Sequence, residues 1–212
     1  MVAIEVLTLW LHIAAGTLAI LGGAVAILTE KGGLDHRRAG KGFVVSMAVV
    51  AATAIALYPM APTTFRLFLA MVAVFSFYLV FSGYRVLSRK RPTDGAHPID
   101  WVAVALVVLA GLGLLLIGGQ WALRDQPFAP VMLVFGGIGT VLGLQDVQLF
   151  RADDGEGPKW ILLHLQRMMA GYIAAVTAVS AVNFGSLPPY ISWLWPTVVG
   201  TPLIFWWSRK YS

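Results

Sequence analysis

Residues 99–121 read IDWVAVALVVLAGLGLLLIGGQW, with no charge beyond Asp100 and a tryptophan near each end. A helix that crosses a bilayer needs about 20 predominantly apolar residues, and this run supplies them without interruption. Working outward from it, comparable runs lie at 5–28, 42–60, 64–88, 129–150, 159–183 and 190–208. The spacing predicts an all-α, seven-transmembrane-helix bundle formed as a single integral membrane domain over 1–212. The apolar stretches are continuous rather than alternating and are twice as long as a membrane barrel strand requires, so a barrel is not expected. With 58% hydrophobic and 12% charged residues, the chain is too apolar for a soluble domain. The first run is not expected to be a cleaved signal, because Glu5 stands where a basic segment belongs and a full-length span follows.

Lysine and arginine set the threading, since they are retained on the cytoplasmic side during insertion. Lys31, Arg37, Arg38 and Lys41 follow the first run; Arg85, Arg89, Lys90 and Arg91 end the third; Arg151 and Lys159 flank the loop before the sixth; Arg209 and Lys210 close the chain. Seven spans put all of these on one face, with Arg66 and Arg124 on the other. The expectation is therefore a multi-pass protein of the cytoplasmic (inner) membrane, amino terminus outside and carboxyl terminus cytoplasmic. The net charge of +5 then reports topology, and no nucleic-acid partner is implied. Trp101, Trp160, Trp206 and Trp207 mark the inner interface; Tyr58, Trp121, Tyr190 and Trp193 mark the outer one. The lipid bilayer is the first partner. Three glycine-containing connections, at 31–42, 89–98 and 151–159, read as cytoplasmic loops. Cysteine is absent, which removes thiolate ligands, thiol nucleophiles and disulfides.

The sixth run carries an anomaly, LLHLQRMMAGY at 162–172. Counted from Lys159, His164 lies about 7 Å and Arg167 about 12 Å into the hydrocarbon at 1.5 Å per residue. A spacing of 100° per residue places His164, Arg167, Met168, Gly171 and Ala175 on one stripe, small toward its far end and so suited to close helix packing. A guanidinium at mid-bilayer costs roughly 2.5–3.5 kcal/mol even on the lenient insertion scale, and it cannot shed its proton. It needs an anion. Asp146, about 6 Å deep in the fifth run by the same rise, is the candidate, because helices joined by a short loop are normally neighbours. Asp146 is expected to meet Arg167 or His164, with Tyr84 adding a hydroxyl. Such a group serves either as a clamp between helices or as a polar site open to a ligand.

In the first run Glu5, Thr8, His12, Gly16 and Gly23 share a face. His12 either donates to a neighbouring helix or begins, with Glu5, a proton or cation path from outside. WLHIAAG and LLHLQRMMAG each set a histidine before a glycine on helices running in opposite directions, a pattern an inverted repeat would leave. His36 and His97 fall in the loops, where they serve as ordinary surface or, with His164 and Asp146, as a metal shell for zinc or iron. No paired-histidine spacing fixes two ligands on one turn. Haem or a divalent metal stays open as a cofactor; His12 and His164 lie near opposite leaflets and cannot hold one haem iron. The last run has no lysine between Tyr190 and Ser208, which excludes a retinal Schiff base. Its Pro196 and Pro202 free backbone carbonyls, giving a kink or a carbonyl-lined passage.

LHIAAGTLAILGGAVAIL (11–28), KGGLDHRRAG (31–40), FYLVFSGYRVL (77–87) and HLQRMMAGYIAAVTAVSAVN (164–183) together resemble a group of uncharacterised bacterial polytopic membrane proteins classed only as a domain of unknown function. The resemblance covers most of the chain; its most specific piece is the KGG-x-x-HRRAG loop. It implies that His12, Lys31, Gly32, His36, Arg37, Gly40, Tyr84, Asp146, His164 and Met168 match the family pattern, and it implies architecture without any catalytic role. Three functions follow from the residues. The first is binding or transport of a small anionic or amphipathic ligand, or of protons, by His164, Arg167, Asp146, Tyr84 and His12. The second is a metal- or haem-dependent enzyme or electron carrier using His36, His97 and His164. The third is a structural or regulatory subunit. Whether the protein is an enzyme, and its oligomeric state, stay open at this stage.

Overall fold

The computed structural model describes residues 2–91, 94–151 and 160–211. Lys159 and most of the 151–159 connection lie outside the described residues, as does part of the 89–98 connection. Among the described residues there are seven α-helices: α1 (Val2–Leu28), α2 (Leu34–Met60), α3 (Thr64–Arg85), α4 (Pro98–Ala122), α5 (Ala129–Arg151), α6 (Trp160–Asn183) and α7 (Pro189–Tyr211). A single 3-10 turn, Val86–Ser88, extends α3. The first six helices are long and apolar enough to cross a membrane, and the chain is a multi-pass, all-helical membrane protein. The seventh falls short of that standard. It is 23 residues long but contains Pro196 and Pro202 and ends on Arg209 and Lys210.

The chain falls into two compact units, Met1–Phe77 and Tyr78–Ser212. In the first, α1 packs along α2. The buried positions of α1 are Ala15, Ala19, Gly23 and Ala26, while Leu7, Leu11, Leu18, Leu21 and Val25 are exposed. Small residues inside and large ones outside invert the soluble pattern. They let backbones approach where no hydrophobic effect drives association, and they leave leucine for lipid.

In the second unit α4 packs on α5 and α6 on α7. The α4–α5 contact is backbone on backbone at Gly111 and Gly136. A Cβ on Gly111 would sit 2.9 Å from the Thr140 nitrogen, and one on Gly136 would sit 2.8 Å from the Gly111 oxygen. Around this contact lie Val107, Leu114, Val131, Met132 and Phe135, all buried. At the α6–α7 contact, Pro196 has no N–H to offer the Ser192 carbonyl four residues back. Ser180 Oγ of α6 donates to that carbonyl instead, at 2.8 Å, and accepts from Trp195 Nε1 at 2.6 Å. The carbonyl freed at Pro196 thus fastens two helices together.

The expected start of the second helix is corrected from 42 to Leu34. His36, Arg37, Arg38 and Lys41 are helical rather than loop. Gly32 turns the chain at φ +79°, Gly33 caps α2, and Asp35 in the first turn suits the positive end of its dipole. The basic residues of this segment are good helix formers. Lys31 Nζ then lies over the end of α1, donating to the Ala26 and Thr29 carbonyls at 3.2 Å each and also to Ile27. His36 Nδ1 donates to the same Ala26 carbonyl at 2.9 Å. Two basic groups so satisfy the last carbonyls of a helix, the arrangement favoured at its negative end. Loss of hydration pushes the Lys31 ammonium below the ordinary lysine pKa.

Candidate functional site

At the arginine-rich end of the second unit, α3, α4, α5 and α6 contribute charged side chains to one cluster. Arg167 of α6 donates from Nη2 to Asp146 Oδ1 of α5 at 2.8 Å. The two side chains are 9% and 8% exposed, so the pair is dry. The second carboxylate oxygen accepts from the Tyr78 hydroxyl of α3, and the Arg167 guanidinium lies 5.8 Å from the Tyr78 ring. Close approach of α3 to α6 makes this possible. A Cβ on Gly83 would fall 2.8 Å from Arg167 Cβ and 3.1 Å from the Met168 nitrogen. Each oxygen of Asp146 thereby has a donor, while Arg167 Nη1 is buried with no hydrogen-bond partner among the described residues.

Tyr84, expected to supply the hydroxyl, is 38% exposed on another face of α3; the hydroxyl on Asp146 belongs to Tyr78, six residues earlier. Six residues are 600° of helical rotation, or 240° net. The sequence signal was available, because Tyr78 and Tyr84 both lie in the third run and only the face distinguishes them. His164 Nδ1 donates to the Gly83 carbonyl at 2.7 Å, which ties α6 to α3 beside Arg167.

A second group adjoins the first. Asp100, whose side chain is 2% exposed, receives a two-pronged bond from Arg85, Nε to Oδ1 at 2.8 Å and Nη2 to Oδ2 at 3.0 Å. It also accepts from the His97 backbone N–H at 2.9 Å, in a capping box that starts α4. His97 Nδ1 accepts the Ile99 N–H at 3.5 Å, so this histidine is a cap. Arg89 is the neighbour sequence reasoning missed. Its Nη1 is 3.7 Å from Asp100 Oδ2, beyond hydrogen-bond reach, and is buried with no partner among the described residues. Its guanidinium lies 4.5 Å from the centre of the Phe150 ring, which Trp101 meets edge-on at 5.3 Å. Burial pulls Arg89 below the ordinary arginine range, against the opposing pull of Asp100 and Asp146.

His12 and Glu5 belong to the first unit and have partners there. Thr53 Oγ1 donates to the Val49 carbonyl at 2.7 Å, leaving its oxygen to accept from His12 Nδ1 at 2.9 Å. Glu5 accepts from Arg66 Nη2 at 2.5 Å, and Arg66 Nη1 donates to the Leu57 carbonyl at 2.9 Å. Of the residues suggested for a metal, His36 holds a helix end, His97 caps α4, His164 holds Gly83, and Asp146 holds Arg167 and Tyr78. Among the described residues no group of three or more His, Asp or Glu side chains converges as a metal shell would.

The class these observations define is a multi-pass helical membrane protein with a buried arginine–carboxylate cluster. No protein-family model, curated protein or solved structure matches the chain.

Proposed function

We propose that the protein binds a small anionic ligand at Arg167, within the cluster of Asp146, Tyr78 and Gly83. The observation that carries the reading is the buried Nη1 of Arg167, which has no hydrogen-bond partner among the described residues. A guanidinium stays charged in any protein setting, and leaving one of its N–H groups dry and unpaired costs about 1–3 kcal/mol. An anion that accepts from this nitrogen recovers the cost and gains a charge-assisted bond. Asp146 gives this nitrogen no hydrogen bond; its two oxygens accept from Arg167 Nη2 and Tyr78. His164 and Gly83 position the arginine from the backbone side. The basic connections face the cytoplasm in this reading, by the charge bias of insertion, and α7 completes seven spans with the amino terminus outside. The ligand then enters from the cytoplasmic half of the inner membrane.

The test is calorimetric titration of detergent-purified protein with acetate and, separately, sulfate. The expected result is saturable binding of at least one anion, abolished when Asp146→Asn and Arg167→Gln are combined so that no lone charge remains. Absence of binding by a cooperatively folded wild-type protein would refute the reading.

A further inference from the structure

Resting on that reading, the geometry points to Arg89 as the second half of the same site, and to a ligand group that is an oxyanion carrying a single negative charge. Arg89 and Arg167 are the two guanidiniums of the cluster whose Nη1 atoms are both buried and without a hydrogen-bond partner among the described residues, and their side chains are 10% and 9% exposed. Both lie against the same stretch of α5: Arg167 is bonded to Asp146, and the Arg89 guanidinium lies 4.5 Å from the ring of Phe150, four residues further along that helix. A guanidinium held against an aromatic ring still has N–H groups for further acceptors.

Charge fixes the class. Arg85, Arg89 and Arg167 are cationic; Asp100 and Asp146 are anionic. Arg85 and Asp100 neutralise each other through their two-pronged bond, and Arg167 neutralises Asp146, so among the described residues of the cluster Arg89 is the cation in excess. In a medium of low effective dielectric an excess charge is costly, and a second excess of opposite sign would be equally so. One negative charge brings the cluster to neutrality; a dianion overshoots. Two donors from separate arginines call for two acceptor oxygens on one group, which a carboxylate or a phosphodiester supplies. A phospholipid headgroup and a soluble acid share that chemistry.

The experiment is titration of detergent-purified wild-type protein and the Arg89→Gln variant with acetate, sulfate, dimethyl phosphate and dihexanoylphosphatidylglycerol at fixed ionic strength. The expected result is that wild-type protein binds the three singly charged probes at least about tenfold more tightly than sulfate, and that Arg89→Gln weakens them by about tenfold or more. Tighter binding of the short-chain lipid than of dimethyl phosphate assigns the site to a lipid headgroup, and equal binding assigns it to a soluble oxyanion; both support the inference. Sulfate binding as tight as acetate, or acetate binding unchanged in Arg89→Gln, overturns the inference and leaves the anion site at Arg167 standing. Failure of every probe to bind overturns both. Should Arg89→Gln lose its cooperative unfolding, Arg89→Lys replaces it, with the same weakening expected because a point charge cannot pair in the plane of two oxygens.

Discussion

Two of the arginine–carboxylate pairs formed between helices, Arg66 with Glu5 and Arg167 with Asp146, are alike in chemistry and opposite in completeness. Arg66 and Glu5 are 31% and 30% exposed. Arg66 spends Nη2 on the glutamate, Nη1 on the Leu57 carbonyl, and its backbone N–H on Thr63 Oγ1 at 3.1 Å. That pair is closed: it joins the start of α1 to the end of α2 and the start of α3. Arg167 and Asp146 are dry, and the arginine keeps one nitrogen unused. The same arginine–carboxylate chemistry makes a clamp where spare N–H groups find carbonyls or water, and a receptive site where they find neither.

The comparison can be broken first at its buried end. Asp146→Asn alone leaves a lone guanidinium in a dry setting and is expected to cost about 3–5 kcal/mol, with recovery when Arg167→Gln is added. Unfolding in mixed micelles with rising dodecyl sulfate measures both. Tyr78→Phe removes a hydrogen bond to a charged carboxylate; the expected loss is about 1.5–3 kcal/mol, and Tyr84→Phe, the control on the exposed face, should lose far less. Gly83→Ala drives a methyl into Arg167 and Met168, for which the same unfolding assay should read about 1–3 kcal/mol. Glu5→Gln acts at the half-exposed, already satisfied pair and is expected to change stability by less than about 1 kcal/mol. A Glu5→Gln cost as large as that of Asp146→Asn would erase the distinction.

The long apolar runs made the helices legible, because continuous hydrophobicity at spanning length has few other physical explanations. The pairing of Arg167 with Asp146 was legible for a related reason. A charge at that depth demands an opposite one, and Asp146 was the acidic residue at matching depth on the preceding helix. What stayed hidden depended on rotation and on three-dimensional neighbours. Tyr78 rather than Tyr84 faces Asp146 because of helical phase. Arg89 read as one of several topology signals, since nothing in a run of basic residues tells which side chain folds back under Phe150. The KGGLDHRR segment read as loop because its glycines dominated. Its lysine and histidine in fact close the end of α1 while the chain is already entering α2.

The most direct measurement is equilibrium dialysis of labelled acetate against two charge-deleted forms, Glu5→Gln with Arg66→Gln and Asp146→Asn with Arg167→Gln. The account predicts saturable binding, one acetate per chain, in wild-type protein and in the first form, and none in the second. Equal binding by both forms, or no saturable binding by wild-type protein, would contradict it.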